Sequence, residues 1–118
     1  QSPCNVTGIS ALKGADDLSS RVRQLLQEMP PGQCSWSIDH RFHCGGSARV
    51  SPELKAFMLE FERVQGVPLE PVYTGKAMFA VNQMLSAGEL DDREPIVVIH
   101  TGGLQGRRGY SWLAPPDN

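Results

Sequence analysis

The chain has 118 residues, 40% of them hydrophobic and 20% charged, with a formal charge of -2 at neutral pH. That is enough polypeptide for one globular domain with one modest core, and its composition is ordinary for such a domain. The small, dispersed negative charge gives no electrostatic reason to bind nucleic acid or an anionic membrane, and no apolar stretch approaches the ~20 residues that cross a bilayer.

The chain begins without a methionine and enters an apolar strand at residues 6–9 almost at once, so it reads as a piece of a longer polypeptide. From residue 16 to 29, Leu18, Val22, Leu25, Leu26 and Met29 recur at helical spacing, with Arg21, Arg23 and Glu28 opposite, which predicts a helix packed on one side. Pro30-Pro31-Gly32 ends it. Cys34, Trp36 and Ile38 then alternate with Ser35, Ser37 and Asp39 as in a short edge strand. Gly45-Gly46 breaks the chain. Ser51-Pro52-Glu53 supplies an N-cap, a first-turn proline and a first-turn carboxylate for a second helix, whose stripe is Leu54, Phe57, Met58, Phe61 and Val64. Gly66 and Pro68 stop it, and residues 67–73 read as extended. A third helix at 75–87 buries Met78, Val81, Met84 and Leu85, with Gly88 as its left-handed cap. Ile96-Val97-Val98-Ile99 is a continuous β-branched run, the pattern of a strand covered on both faces in a parallel sheet. Alternating strands and helices define an α/β fold, an open and mostly parallel sheet flanked by helices. Residues 1–113 form the predicted domain and 114–118 a loose tail.

Cys4, Cys34 and Cys44 are an odd set without the spacing of a small disulfide framework, so they read as free thiols in a reducing compartment. Residues 1–4 lack the regions of a secretory signal, which makes the cytoplasm the default location. Asn5-Val6-Thr7 matches the glycosylation sequon but falls in a predicted buried strand, where it reads as chance.

Two motifs say most about function. Residues 96–99 run directly into His100-Thr101-Gly102-Gly103, which delivers a hydroxyl and peptide groups to the carboxyl end of a sheet, the place where open α/β folds bind ligands. Val72-Tyr73-Thr74-Gly75-Lys76 is the second motif. Together they point to a small-molecule site.

Pro71-Val72-Tyr73-Thr74-Gly75-Lys76-Ala77-Met78 and Ile99-His100-Thr101-Gly102-Gly103-Leu104 closely resemble the C-terminal part of the pyridoxal-phosphate-dependent family that contains 1-aminocyclopropane-1-carboxylate deaminase and D-cysteine desulfhydrase. The likeness extends to Leu12-Lys13-Gly14, Phe42-His43-Cys44-Gly45-Gly46 and Gly66-Val67-Pro68-Leu69. The resemblance implies the C-terminal half of the large domain of a fold-type-II enzyme, with pyridoxal 5'-phosphate as cofactor. It implies a deaminase or desulfhydrase that converts a small amino acid to an α-keto acid and ammonia. It places Thr101 opposite the pyridine nitrogen and Tyr73, the implied catalytic side chain, against the cofactor, with Thr74 beside it. Ring-opening deaminases of this family carry glutamate directly after the motif tyrosine. Thr74 stands there instead, which favours β-elimination from a cysteine-like substrate. Ser47 replaces a further active-site tyrosine of the family, an alteration that bears on proton transfer and substrate.

The same resemblance implies that the Schiff-base lysine and the glycine-rich phosphate loop lie in an N-terminal remainder of the enzyme. The chain alone is therefore expected to be inactive, and to associate with that remainder or with itself to cover half a sheet. Lys76 matches the motif lysine after the tyrosine and is expected at a salt bridge or the surface. His100 is expected to anchor its loop by hydrogen bonding, and Met78, Met84, Trp36 and Trp112 to pack. Two other classes of function are open to test. Cys34, His40, His43 and Cys44 offer nitrogen and sulfur ligands for a metal-binding module, although no Cys-x-x-Cys pair occurs. Gly106-Arg107-Arg108-Gly109-Tyr110 has the composition of arginine–glycine segments that contact single strands.

Overall fold

A computed structural model describes residues 4–114. In chain order the elements are β1 (Asn5–Ile9), α1 (Leu18–Leu26), β2 (Ser35–Asp39), α2 (Pro52–Gln65), α3 (Thr74–Ser86) and a 3-10 helix (Leu104–Gly109). The two strands pair in parallel, with Asn5 opposite Ser35 and Ile9 opposite Asp39. Parallel neighbours need a crossover, and α1 supplies it. The result is a small α/β arrangement with two parallel strands.

Helix α2 forms where its sequence directs. Ser51 accepts the Leu54 N–H at 3.2 Å, Pro52 opens the helix, and Gly66 closes it at φ 67. Only glycine takes that backbone angle without a steric penalty. Helix α3 packs against α2, and the core gathers between them from Leu54, Met58, Leu69, Phe79 and Leu113. Phe57 bridges Phe61 and Phe79, each with ring centroids 5.6 Å away, and Phe42 meets Phe79 edge-on at 6.5 Å. Met84 is buried, while Met78 and Trp112 flank the core, as expected of packing residues. Trp36 is half-buried on β2.

The structure corrects several expectations. Cys4 and Cys34 are joined in a disulfide, leaving Cys44 as the free thiol. Parallel pairing carries the ends of β1 and β2 side by side, a proximity that cysteine spacing does not reveal. With that disulfide, the thiol argument for a reducing compartment falls away. Asn5 is exposed rather than buried, its Oδ1 accepting the Ser35 hydroxyl.

Helix α1 is shorter than the 16–29 stretch and contains no buried residue. Leu25 is 72% exposed and, beyond the helix, Met29 is 62% exposed, because a sheet of two strands gives its stripe too little to cover. Residues 96–99 are not a strand. Val97 is 86% and Ile99 78% exposed, and no second strand pairs with this run among the described residues. A β-branched run becomes a strand only when a neighbour accepts its backbone hydrogen bonds.

Of the predicted tail, Ala114 is tied down, its carbonyl accepting Arg107 Nε at 3.1 Å. Residues 115–118 lie outside the described residues, as do residues 1–3 at the start of the chain. No helix among the described residues is long and apolar enough to cross a membrane.

Candidate functional site

The two motifs meet at the segment Pro68-Leu69-Glu70, which leads into α3. Glu70 is 2% exposed, and its carboxylate takes N–H groups from Val72 at 2.7 Å, Tyr73 at 2.7 Å and Thr74 at 2.6 Å. In return the Thr74 hydroxyl accepts the Glu70 N–H at 3.0 Å. This reciprocal pair satisfies the free amides at the start of α3 as a capping box does, and it puts negative charge at the positive end of the helix dipole. Residues 71–73 consequently turn rather than continue extended.

Two hydrogen bonds clip the second motif and the 3-10 helix after it onto the same segment. The His100 ring bonds the Pro68 carbonyl at 3.0 Å through Nε2, while its Nδ1 accepts the Gly102 N–H at 3.0 Å. An acceptor Nδ1 leaves Nε2 carrying the proton, so Nε2 donates. His100 thus anchors the loop, as expected. Gly102 and Gly103 follow at φ 82 and φ 74, two consecutive left-handed positions that explain the paired glycines of the motif. Arg107 is 2% exposed; its Nη1 donates to the Leu69 carbonyl at 2.7 Å and its Nη2 to both Glu62 oxygens at 3.0 and 3.1 Å. Glu70 itself lies under the turn, close enough that a side chain at Gly106 would come within 3.7 Å of its Oε2.

The expected site residues flank this junction. Tyr73 is 63% exposed at the N-cap of α3, and Thr101 is exposed in the loop before Gly102. Neither side-chain hydroxyl has a hydrogen-bond partner among the described residues, so both are available to a ligand. Thr74 is different: it is buried, and its hydroxyl is turned to Glu70. Two open clefts lie elsewhere. One of about 530 Å³ runs between α1 and the sheet past Val22, Leu26 and Trp36; the other, of about 500 Å³, lies beside α2 and α3 at Phe57 and Phe61.

Lys76 departs furthest from expectation. It is fully buried, and its Nζ donates to the carbonyls of Gly46 at 2.7 Å and Ala11 at 3.4 Å. Burial pushes its ammonium down from the ordinary lysine value, against the opposing influence of Cys44 and Glu70. Burial likewise raises the Tyr110 phenol, with the Glu70 charge adding to it. Glu70, Lys76 and Arg107 are the residues that sequence reasoning missed in these roles. A carboxylate four residues before Thr74, just ahead of the turn into a helix, was a usable signal for Glu70. Nothing local marks a lysine that bonds carbonyls 30 and 65 residues away.

The two other classes fare poorly. Cys34 is committed to its disulfide, His43 Nδ1 accepts the Gly45 N–H at 3.1 Å, and Cys44 Sγ lies 3.5 Å from the Phe42 carbonyl. No group of three potential metal ligands converges among the described residues, so the metal-binding module is not supported. Arg107 is spent inside the fold on Glu62, which removes one of the two cations from the arginine–glycine reading.

Two relatives carry the name "Putative 1-aminocyclopropane-1-carboxylate deaminase". The chain is 28% identical to the one from Pyrococcus abyssi over 109 residues, covering 86% of this chain and 32% of that protein. It is 33% identical to the one from Pyrococcus horikoshii over 66 residues, covering 56% of this chain and 20% of that protein. The chain therefore spans a third or less of the length of these relatives. No family model matches it. No solved structure matches it.

Proposed function

We propose that this chain is the C-terminal part of a pyridoxal-phosphate-dependent deaminase or lyase acting on a small amino acid, within a fold-type-II large domain. The observation that carries the reading is the junction at Glu70. Two motifs that resemble that family, at residues 71–78 and 99–104, are held against one segment by His100 and by Arg107 just after the second. Similarity to two proteins named for the deaminase supports it.

Both candidate residues carry donors of a kind this cofactor uses. Thr101 offers an uncommitted neutral hydroxyl, suited to a hydrogen bond with a pyridine nitrogen, and Tyr73 offers an exposed ring and phenol. When bound, pyridoxal phosphate supplies an electron sink for the α-carbon of an amino acid. Thr101 would hold the ring nitrogen, and a hydroxyl there leaves that nitrogen less firmly protonated than a carboxylate would. Tyr73 would orient the cofactor or substrate and could hold a proton at its phenol oxygen. Thr74 enters through Glu70, keeping the turn that presents Tyr73. With threonine rather than glutamate after the tyrosine, β-elimination from D-cysteine or a related amino acid is preferred over ring opening.

In this reading the Schiff-base lysine and phosphate loop come from an N-terminal remainder, which would also cover the exposed run at 96–99; a homo-oligomer completes the proposal. Upstream coding sequence should contain both features. The complete protein should release ammonia from D-cysteine faster than from 1-aminocyclopropane-1-carboxylate, and the isolated chain should release none. Turnover by the isolated chain, or an upstream sequence lacking any lysine and glycine-rich loop, would overturn the assignment.

A further inference from the structure

The loop after β2 has an unusual backbone. Cys44, Gly45, Gly46 and Ala48 all have positive φ, at 55, 100, 117 and 60, so four of five consecutive residues occupy conformations that L side chains rarely adopt. Such conformations persist only when their surroundings over-determine them. Here the carbonyls on either side of Ser47 are held separately. Gly46 O accepts Lys76 Nζ at 2.7 Å, and Ala48 O accepts the Tyr110 hydroxyl at 2.8 Å. Ser47 itself is exposed.

The second acceptor of Lys76, Ala11 O at 3.4 Å, belongs to the segment that leaves β1. One ammonium therefore bridges the two loops that emerge from the carboxyl ends of the parallel strands. It does so without a carboxylate partner among the described residues. A buried cation is unfavourable unless its hydrogen bonds compensate, and for filling the same volume methionine would serve without that penalty. The ammonium is there for its donors.

We propose that Lys76 is a positioning residue, whose ammonium ties the loops leaving β1 and β2 to the first turn of α3 and so fixes how Ser47 is presented at the carboxyl edge of the sheet. This deepens the functional reading above, resting on it only for the meaning of that edge as a ligand site.

Amide hydrogen exchange on the unaltered chain, Lys76→Met and Leu54→Ala tests it. Leu54→Ala is the control for general loosening, since Leu54 lies in the core and bonds to neither loop. Loss of a charge-assisted hydrogen bond should raise exchange in peptides covering 10–12 and 43–49 about tenfold in Lys76→Met, beyond any rise at 76–86 and 102–110. In Leu54→Ala the rise should be spread over all of these. An unchanged pattern in Lys76→Met, or one as uniform as the control, overturns the proposal.

A second measurement needs no variant. Lys13, Lys55 and Lys76 are the lysines of the chain, and the first two are exposed. Reductive methylation of the native chain should modify Lys76 at least about tenfold more slowly than Lys13, and equal rates would also overturn the tether. Neither measurement involves cofactor or amino acid. A negative result here leaves the enzymatic reading standing, and failed turnover by the complete protein leaves the tether standing.

Discussion

Replacing Glu70 by alanine removes the acceptor for three backbone N–H groups at once. The Thr74 N–H lies in fully buried surroundings, and leaving it unsatisfied costs about 2 kcal/mol. The Val72 and Tyr73 amides are only partly buried, so water can replace the carboxylate there at about 0.5–1 kcal/mol each. Glu70→Ala should therefore destabilise the chain by about 3–4 kcal/mol, more than the about 0.5–2 kcal/mol usual for a single cap, because one side chain serves three donors. Glu70→Gln keeps one acceptor oxygen and should lose roughly half as much. Urea unfolding followed by tryptophan fluorescence reads the effect as a lowered midpoint at constant slope, by about 2 M for a slope of about 1.5–2 kcal/mol/M. Exchange should also quicken at 102–106, since that turn packs on Glu70. A loss below about 1 kcal/mol, or unaltered exchange in that turn, would refute the claim that this carboxylate holds the 72–74 turn and supports the glycine turn packed beside it.

Gly75→Ala should destabilise despite alanine's better helix propensity, by about 1–3 kcal/mol in the same urea titration, because its Cβ would come within 2.8 Å of the Glu70 carbonyl oxygen and 2.7 Å of Met58 Sδ. A neutral or stabilising result would show that the junction yields. Reducing the Cys4–Cys34 disulfide, which closes a loop across a separation of 30 residues, should lower stability by about 3–4 kcal/mol when the titration is repeated with a reductant. Unchanged midpoints would argue that the cross-link does not form in solution. The Arg41 guanidinium hydrogen-bonded to Asp39 holds that carboxyl below its ordinary value, so its contribution is present above the unfolded value of 3.8 and is lost as pH falls through the lower folded value. Asp39→Asn should flatten the acid limb of the stability–pH curve below about pH 4, and an unchanged limb would contradict the pairing.

Much of the architecture was legible because it rests on local chemistry. Ser51, Pro52 and Gly66 bound α2 through interactions confined to a few residues, and the Cys34-Trp36-Ile38 alternation forms β2 for the same reason. His100 was legible too, as a ring placed to bond the loop that follows it. The run at 96–99 was misread because β-branched residues state a preference that only a hydrogen-bonding neighbour can realise. The stripe of α1 was misread in the same sense: a helical period shows which face is apolar, not whether anything lies beneath it.

The sequence by itself determined the places of β1, β2, α2 and α3, the caps of α2, and the two motifs that carry Tyr73 and Thr101. Tertiary structure alone decided that Cys4 meets Cys34, that Lys76 and Arg107 point inward to carbonyls, and that the Glu70 carboxylate, bonded to residues 72–74, lies beside the glycine turn of the second motif. The physical reason is range. Caps and turns are settled by atoms a few bonds apart, whereas a buried charge is tolerated only where distant segments bring it acceptors, and chain pattern does not show which segments those will be.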